Sequence, residues 1–152
     1  MAVVKGKSDL FPDTPLSSTA PDPAKARGRT RSATFTVTNL ATDSSGSSYH
    51  LADVPADALW DEGTIFKVNG WGFATISIGT ATDVDALYTG LISVGTYLSP
   101  VVVGDARHGL PIWQALGLAA MPDGAMVGIY AHAVAGATGA GTLTGKIVYR
   151  HH

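Results

Sequence analysis

Short alternating segments, broken by Gly, Pro and Asp turn signals, constrain this chain more than any other feature. Residues 33–40 alternate cleanly, with Phe35 and Val37 on one face and threonines on the other, which is typical of a half-buried β-strand. The spacing of the turn signals, about ten residues, is that of sandwiches and barrels, and the connections are too short for parallel crossovers. We therefore predict an all-β fold, a single antiparallel β-sandwich or jelly-roll-like domain. Further strands are expected over 49–54, 64–73, 74–78, 97–103, 125–134 and 142–149.

The segments between these strands give more specific expectations. Pro122-Asp123-Gly124 is a strong turn signal, and Pro100 places the strand over 97–103 at a sheet edge. Residues 86–92 are expected to form one or two helical turns. Residues 110–120 are long enough for a helix, but Pro111 and Gly117 favour a strand with a bend. The Gly-rich stretch 135–141 is expected to be a hairpin loop.

The first 31 residues differ in composition from the rest of the chain. They contain half of the eight prolines and six of the ten basic residues, and they show no sustained periodicity. Proline fixes φ and biases the preceding residue toward extended geometry. We therefore divide the chain into an extended, proline-rich basic arm over 1–31 and a β-sandwich domain over 32–152. The arm has a formal charge of +3 and the domain one of −5.

The arm supplies the candidate partner-binding residues. In an extended chain, charges on every second residue lie on one face, and this face is expected to lie across acidic patches of a neighbouring protein. Phosphate binding is the alternative, but no aromatic residues interleave with the charges and the domain is acidic. We therefore expect no direct contact with nucleic acid. The predicted contacts are the apolar anchors Leu10, Phe11 and Leu16 and the charges Lys25, Arg27, Arg29 and Arg31.

Composition narrows the classes of function. The chain has no cysteine, so disulfides, thiolate metal sites and cysteine nucleophiles are excluded. Only 14% of its residues are charged, well below the usual quarter, which favours a surface that is partly covered in use. No apolar run is long enough to span a membrane and the N-terminus lacks the apolar core of a signal peptide, so we expect assembly in the cytoplasm and no membrane partner.

Catalytic and metal-binding patterns are sparse. The most enzyme-like patch is Asp105, Arg107 and His108, but no nucleophile accompanies it. Asp83 and Asp85 resemble part of a calcium loop, although they lack the central Gly and distal Glu, and capping of a turn is the alternative. We expect no enzyme, no cofactor and no metal. The other candidates are assigned to packing, loops or solvated positions: His50, His132, His151, His152, Asp57, Asp61, Glu62, Trp60, Trp71 and Trp113.

Three segments resemble a known class of protein. Residues 51–58, 74–88 and 141–149 resemble the entry segment, the Gly/Thr/Asp loop and the closing strand of small phage virion proteins. Among these are capsid decoration proteins, also called cement or head stabilisation proteins, with jelly-roll-like sandwiches. The resemblance covers about two thirds of the chain, over residues 48–150, and brings no catalytic residues with it.

The resemblance implies a function and partners. The chain would bind the outside of a phage capsid and clamp neighbouring subunits of the major capsid protein, as a homotrimer on the virion surface. The alternative is a carbohydrate- or receptor-binding module of a fibre, or a neck or tail component. A fibre module predicts exposed tryptophans near one cluster of loops.

Overall fold

The structure, a computed structural model, describes residues 28–151, and its regular secondary structure is almost all β-strand. Apart from the strands it contains a 3-10 turn over Ile92–Val94 and one short helix, α1, over Ile112–Ala115. The strands within the described range are β1 (Arg29–Asn39), β2 (Ser48–Pro55), β3 (Leu59–Trp60), β4 (Ile65–Lys67), β5 (Thr75–Gly79), β6 (Tyr88–Leu91), β7 (Tyr97–Leu98), β8 (Met126–His132) and β9 (Gly141–His151).

The strands form two antiparallel sheets that pack face to face. The first sheet has the order β1-β9-β4-β7, with β3 also paired to β9, and the second has the order β2-β8-β5-β6. The pairs β1–β9, β2–β8, β4–β7 and β5–β6 are nested along the chain. The chain is thus a long antiparallel ribbon whose tip is the β5–β6 hairpin. A ribbon folded in this way into two sheets is a jelly roll, so the predicted fold class is confirmed.

The longest pairing, β1 with β9, follows directly from the alternation in the sequence. Eleven residues pair without a register shift, from Arg29 opposite His151 to Asn39 opposite Gly141. Gly145 lies opposite both Phe35 and Phe66. A side chain on Gly145 would meet the Phe35 ring and the β4 backbone, so its absence lets the two aromatic rings approach to 5.6 Å. The glycine in the strand is therefore explained by aromatic packing across it.

The core lies between the two sheets. Ile76 and Ile78 from β5, Ile129 from β8, and Leu143 and Ile147 from β9 are buried side chains that meet there. Burial of each such side chain contributes about 1.5–3 kcal/mol relative to exposure. The core also takes in aromatic residues from loops and short strands, namely Trp60, Phe66, Trp71 and Phe73.

The connecting loops gather at the two ends of the sandwich. We call end I the loops over 40–47, 68–74, 92–96 and 133–140, and end II those over 56–64, 80–87 and 99–125. At end I the buried Asn39 side chain donates to the carbonyl of Gly139 at 2.8 Å and accepts from the N–H of Gly72 at 3.0 Å. Asn39 therefore joins β1 to two loops that are remote in sequence.

Several sequence expectations are corrected by the structure. Residues 86–92 do not form helical turns, because Tyr88–Leu91 pairs with β5 as β6. Residues 110–120 contain the short helix α1, and Gly117 follows it with a φ of +71°. Residues 135–141 are not a hairpin loop, since β8 and β9 belong to different sheets. The predicted strands over 64–73 and 97–103 shrink to three and two residues, and the latter lies at the sheet edge as expected.

Candidate protein-binding surface

The arm and the domain meet in the first sheet. Arg29 and Arg31 lie in β1, opposite His151 and Tyr149, so the strand begins before the expected domain boundary at residue 32. Both arginines are exposed. The β1 strand lies at the edge of the first sheet, and its start lies at end II. The other predicted contacts lie outside the described residues: Leu10, Phe11, Leu16, Lys25 and Arg27.

Charge is distributed unevenly over the described domain. Five of its six basic residues lie in strands of the first sheet, namely Arg29, Arg31, Lys67, Lys146 and Arg150. None of its nine acidic residues does. Seven of the nine lie in the loops of end II, which are Asp57, Asp61, Glu62, Asp83, Asp85, Asp105 and Asp123. The formal charge of −3 over the described residues therefore combines a basic sheet with an acidic end.

The outer face of the first sheet is lined with threonines and lysines. In register across the sheet, Thr36 lies opposite Thr144 and Thr144 opposite Lys67, and the Thr36 and Thr144 hydroxyls are 3.2 Å apart. A shallow groove of about 310 Å³ crosses this face and is lined by Lys67, Lys146, Ile65, Tyr97 and Gly145, with Thr34 and Thr144 beside them. Within residues 28–151 neither lysine has an ion-pair partner. We call this face, with its groove, the threonine–lysine face.

The enzyme-like patch at end II is a structural brace. The Arg107 guanidinium donates to the Leu87 carbonyl at 2.5 Å and to the Pro100 carbonyl at 2.9 Å. It also binds the Asp105 carboxylate through Nε at 3.1 Å. Hydrogen bonds from the Arg107 side chain and backbone lower the pKa of Asp105. The planar guanidinium thus ties the loop over 99–111 to the loop that precedes β6.

The acids around Trp60 are paired with basic neighbours. Asp61 lies 3.3 Å from Arg150, and Glu62 lies 3.5 Å from His108. The pKa of Glu62 is lowered, first by a hydrogen bond from its own backbone N–H and then by the charges of Arg150 and His108. Asp57 lies 3.2 Å from His151. These contacts hold the β2–β4 connection against β9 and assign the carboxylates to loop structure, as the sequence indicated.

The loop with Asp83 and Asp85 caps a turn without using either carboxylate. The Thr80 hydroxyl accepts from the N–H of Asp83 at 3.0 Å, and the Asp83 carbonyl accepts from the N–H of Thr80 at 2.8 Å. The cap is therefore made by a threonine, and β6 rather than a helix follows it. Both carboxylates are exposed on either side of Val84, which is 42% exposed. In the part of the chain that the structure describes, no three His, Asp or Glu side chains are grouped to hold a metal ion.

A polar cluster lies on the outer face of the second sheet. His50 and Asp53 pair at 2.9 Å, and the His50 ring stacks on Tyr130 with centroids 4.6 Å apart. Beside them the buried His132 lies with Nε2 2.7 Å from the Thr80 carbonyl. A carbonyl only accepts, so Nε2 carries the proton. Each histidine therefore has a structural partner, and the buried His132 agrees with its interpretation as a packed histidine.

The tryptophans are part of the core rather than a binding platform. Trp60 is fully buried, and Trp71 packs against Tyr49 and Phe73 with centroid distances of 4.9 and 5.2 Å. Trp113 is partly buried against the same core. An exposed tryptophan cluster is thus not formed by these three residues, and the sequence assignment to the core is confirmed for Trp60 and Trp71.

The sequence interpretation missed the threonine–lysine face. The signal was present, because the outward positions of two alternating segments are occupied by threonine and lysine and by no acidic residue. The two segments form one face only when strands β1 and β9 pair, since Thr36 and Thr144 are 108 residues apart in the sequence. No family model, curated protein or solved structure with which the chain was compared matches it. No helix within residues 28–151 is long and apolar enough to cross a membrane.

Proposed function

We propose that the chain is a structural virion protein that binds the outside of a phage capsid and stabilises it. In this proposal the arm over 1–31 contacts neighbouring subunits of the major capsid protein, and the jelly roll remains on the capsid surface. The chain acts as a binding protein rather than an enzyme, self-associates as a homotrimer and is assembled in the host cytoplasm.

The strand order is the observation that carries this proposal. Jelly rolls occur among viral capsid proteins, lectins and cupins, and the fold alone does not choose between these classes. The resemblance of residues 51–58, 74–88 and 141–149 to phage virion proteins favours the first class. The basic arm adds to this support, because it leads into an edge strand whose exposed Arg29 and Arg31 continue its charge.

Binding through an arm has a physical rationale. An extended segment loses conformational entropy when it is ordered, and a long contact surface offsets that loss. An arm and a body that contact different subunits also bind multivalently, since the second contact becomes intramolecular once the first has formed. Basic residues on the arm and on the first sheet would meet acidic patches of the shell.

The alternative, a carbohydrate- or receptor-binding module of a fibre, has less support. It predicts exposed tryptophans, whereas Trp60 and Trp71 are buried. What favours it is a groove of about 280 Å³ beside Tyr130 and Asp53, because an aromatic ring and a carboxylate are typical of sugar sites. Binding of a glycan to this groove, detected as shifts of Tyr130 and Asp53 resonances, would favour the fibre module over the capsid protein.

Deletion of the arm tests the capsid proposal. Residues 1–28 are the segment to remove, because Arg29 begins β1 and a longer deletion would shorten that strand. The truncated chain is expected to fold but to lose most of its co-sedimentation with capsids built from the major capsid protein of the same virus. Full-length chain carrying Lys25→Gln and Arg27→Gln is the control that separates arm charge from arm length. Full binding by the truncated chain would contradict the proposal.

A further inference from the structure

The described surface contains a socket and a plug of opposite charge. The socket is the groove on the threonine–lysine face, in which Ile65 lies opposite Lys146 and two residues from Lys67, and Tyr97 lies opposite Lys67. The plug is the exposed tripeptide Asp83-Val84-Asp85 in the β5–β6 loop, in which an apolar side chain stands between two carboxylates. Ile65, an apolar side chain with a lysine on two sides, is thus matched by Val84, an apolar side chain between two carboxylates.

The socket and the plug lie on different sides of the domain. The socket is on the outer face of the first sheet, whereas the plug belongs to a loop of end II that joins two strands of the second sheet. This loop folds back toward its own sheet at Gly79, where a Cβ would collide with the Asp83 carbonyl and the backbone of Val84 and Ala86. Its position is therefore fixed by close backbone packing, and a fixed loop loses little entropy on docking.

Within the described domain, the charged side chains of the socket and of the plug take part in no ion pair. Among residues 28–151, the ion pairs of the first sheet and of end II use Arg150, Arg107, His108 and His151, but neither Lys67 nor Lys146 and neither Asp83 nor Asp85. Val84 and Tyr97 are 42% and 61% exposed. Apolar contact between them would bury surface that the isolated domain leaves in water.

We propose that the Asp83-Val84-Asp85 loop of one copy docks into the Lys67–Lys146 groove of a second copy. Val84 contacts Ile65 and Tyr97, and the two carboxylates approach the two ammonium groups. The contact joins two different patches, so it is heterologous and closes into a ring when the rotation between copies permits. The inference rests on the proposed self-association but not on the capsid as partner, because it needs only this chain.

Charge reversal in the full-length chain tests the contact. Lys67→Glu with Lys146→Glu reverses the socket, and Asp83→Lys with Asp85→Lys reverses the plug. Each double variant is expected to weaken self-association by more than about 100-fold, since like charges then face each other across the contact. Sedimentation velocity over a concentration series gives the dissociation constants, and Asp123→Lys in another loop of end II is the control that leaves them unchanged.

The chain with all four reversals makes the test specific. Its plug is basic and its socket acidic, so opposite charges face each other again. The dissociation constant is therefore expected to return to within about tenfold of that of the original chain. Recovery excludes misfolding as the reason for the loss in the double variants. A monomeric original chain, or an oligomer that neither double variant weakens, would overturn the proposed contact. An unaffected oligomer would still leave binding to capsids to be judged by deletion of the arm.

Discussion

Single side chains determine how the loops of this jelly roll are held. The Asp43 carboxylate accepts from the Tyr49 hydroxyl at 2.6 Å and from the Leu40 N–H at 2.9 Å. These bonds lower the pKa of Asp43, and burial together with Asp43 raises the pKa of Tyr49 to about 12. At end II, Arg107 has a corresponding role for the loop over 99–111. Asp105 and Arg107, which belong to the most enzyme-like patch of the sequence, thus hold a long connection in place.

The Asp43–Tyr49 bond leads to a prediction on acid stability. A carboxyl group whose pKa is lower in the folded state stabilises the fold above its unfolded pKa of about 4, and that stability is lost as the pH falls through the folded pKa. Tyr49→Phe removes the first cause of the lowered pKa of Asp43. The free energy of unfolding of this variant should therefore fall less steeply below pH 4 than that of the original chain.

Urea unfolding between pH 2 and pH 6 measures this difference. Tyr97→Phe is the matched control, because Tyr97 is 61% exposed and outside the core. The control should keep the dependence of the free energy of unfolding on pH that the original chain shows. Asp105 and Glu62 also contribute to this dependence through their lowered pKa values. Equal slopes for the two variants would show that Tyr49 does not hold the Asp43 carboxylate in its ionised form.

At the scale of the element, alternation predicts strands well only where one face is buried along the whole strand. Residues 33–40 were predicted as a strand because Phe35 and Val37 alternate with threonines, and β1 has this pattern. Pro55 was expected to end β2, and it does. The start of β1 was missed, since Arg29 and Arg31 carry no apolar alternation and are held in the sheet by pairing with β9.

Other elements depend on contacts that the sequence does not display. Residues 86–92 have helical spacing of apolar side chains, but pairing with β5 keeps Tyr88–Leu91 extended. Tertiary context overrides a weak local preference in such a short segment. The Gly-rich stretch over 135–141 looks like a hairpin loop, yet it crosses between sheets because Ala137 and Thr138 bond to Asp43 and Gly72 of other loops. The sequence alone indicated the arm as a candidate binding segment. It did not indicate the threonine–lysine face, because that face forms only when strands distant in sequence pair.

Substitution of Asn39 tests how much its side-chain hydrogen bonds at end I contribute to the stability of the fold. Its side chain satisfies the buried Gly72 N–H and the Gly139 carbonyl, which belong to the β4–β5 and β8–β9 connections. Asn39→Ala leaves both groups without that partner and is expected to lower the free energy of unfolding by about 2–4 kcal/mol. Thr38→Ala, at the exposed neighbouring position, should change it by less than about 0.5 kcal/mol.

Chemical denaturation of the two variants beside the original chain provides the comparison. A similar, small effect for both substitutions would mean that β1 and the two loops are joined by their backbone bonds alone. Hydrogen exchange adds a local measure, because the Gly72 amide should lose protection in Asn39→Ala but keep it in Thr38→Ala. The amide of Ile129, in the core of the second sheet, serves as the internal reference.

At the scale of the whole molecule, the fold separates charge in a way that composition hides. The first sheet is basic, end II is acidic, and the basic arm enters the domain where the two meet at Arg29. A molecule with this polarity can present its arm and first sheet to an acidic shell while its acidic loops face elsewhere. The same polarity allows contact between copies through opposite patches. The separation of charge between sheet and loops therefore supports both proposals.

Electron microscopy of capsids incubated with the full-length chain tests the central proposal most directly. The capsids are those built from the major capsid protein of the same virus, and undecorated capsids are the control. We predict jelly-roll density on the outer surface, with extended arm density reaching at least two neighbouring capsid subunits. Capsids without added density, or density confined to a neck, tail or fibre, would contradict it.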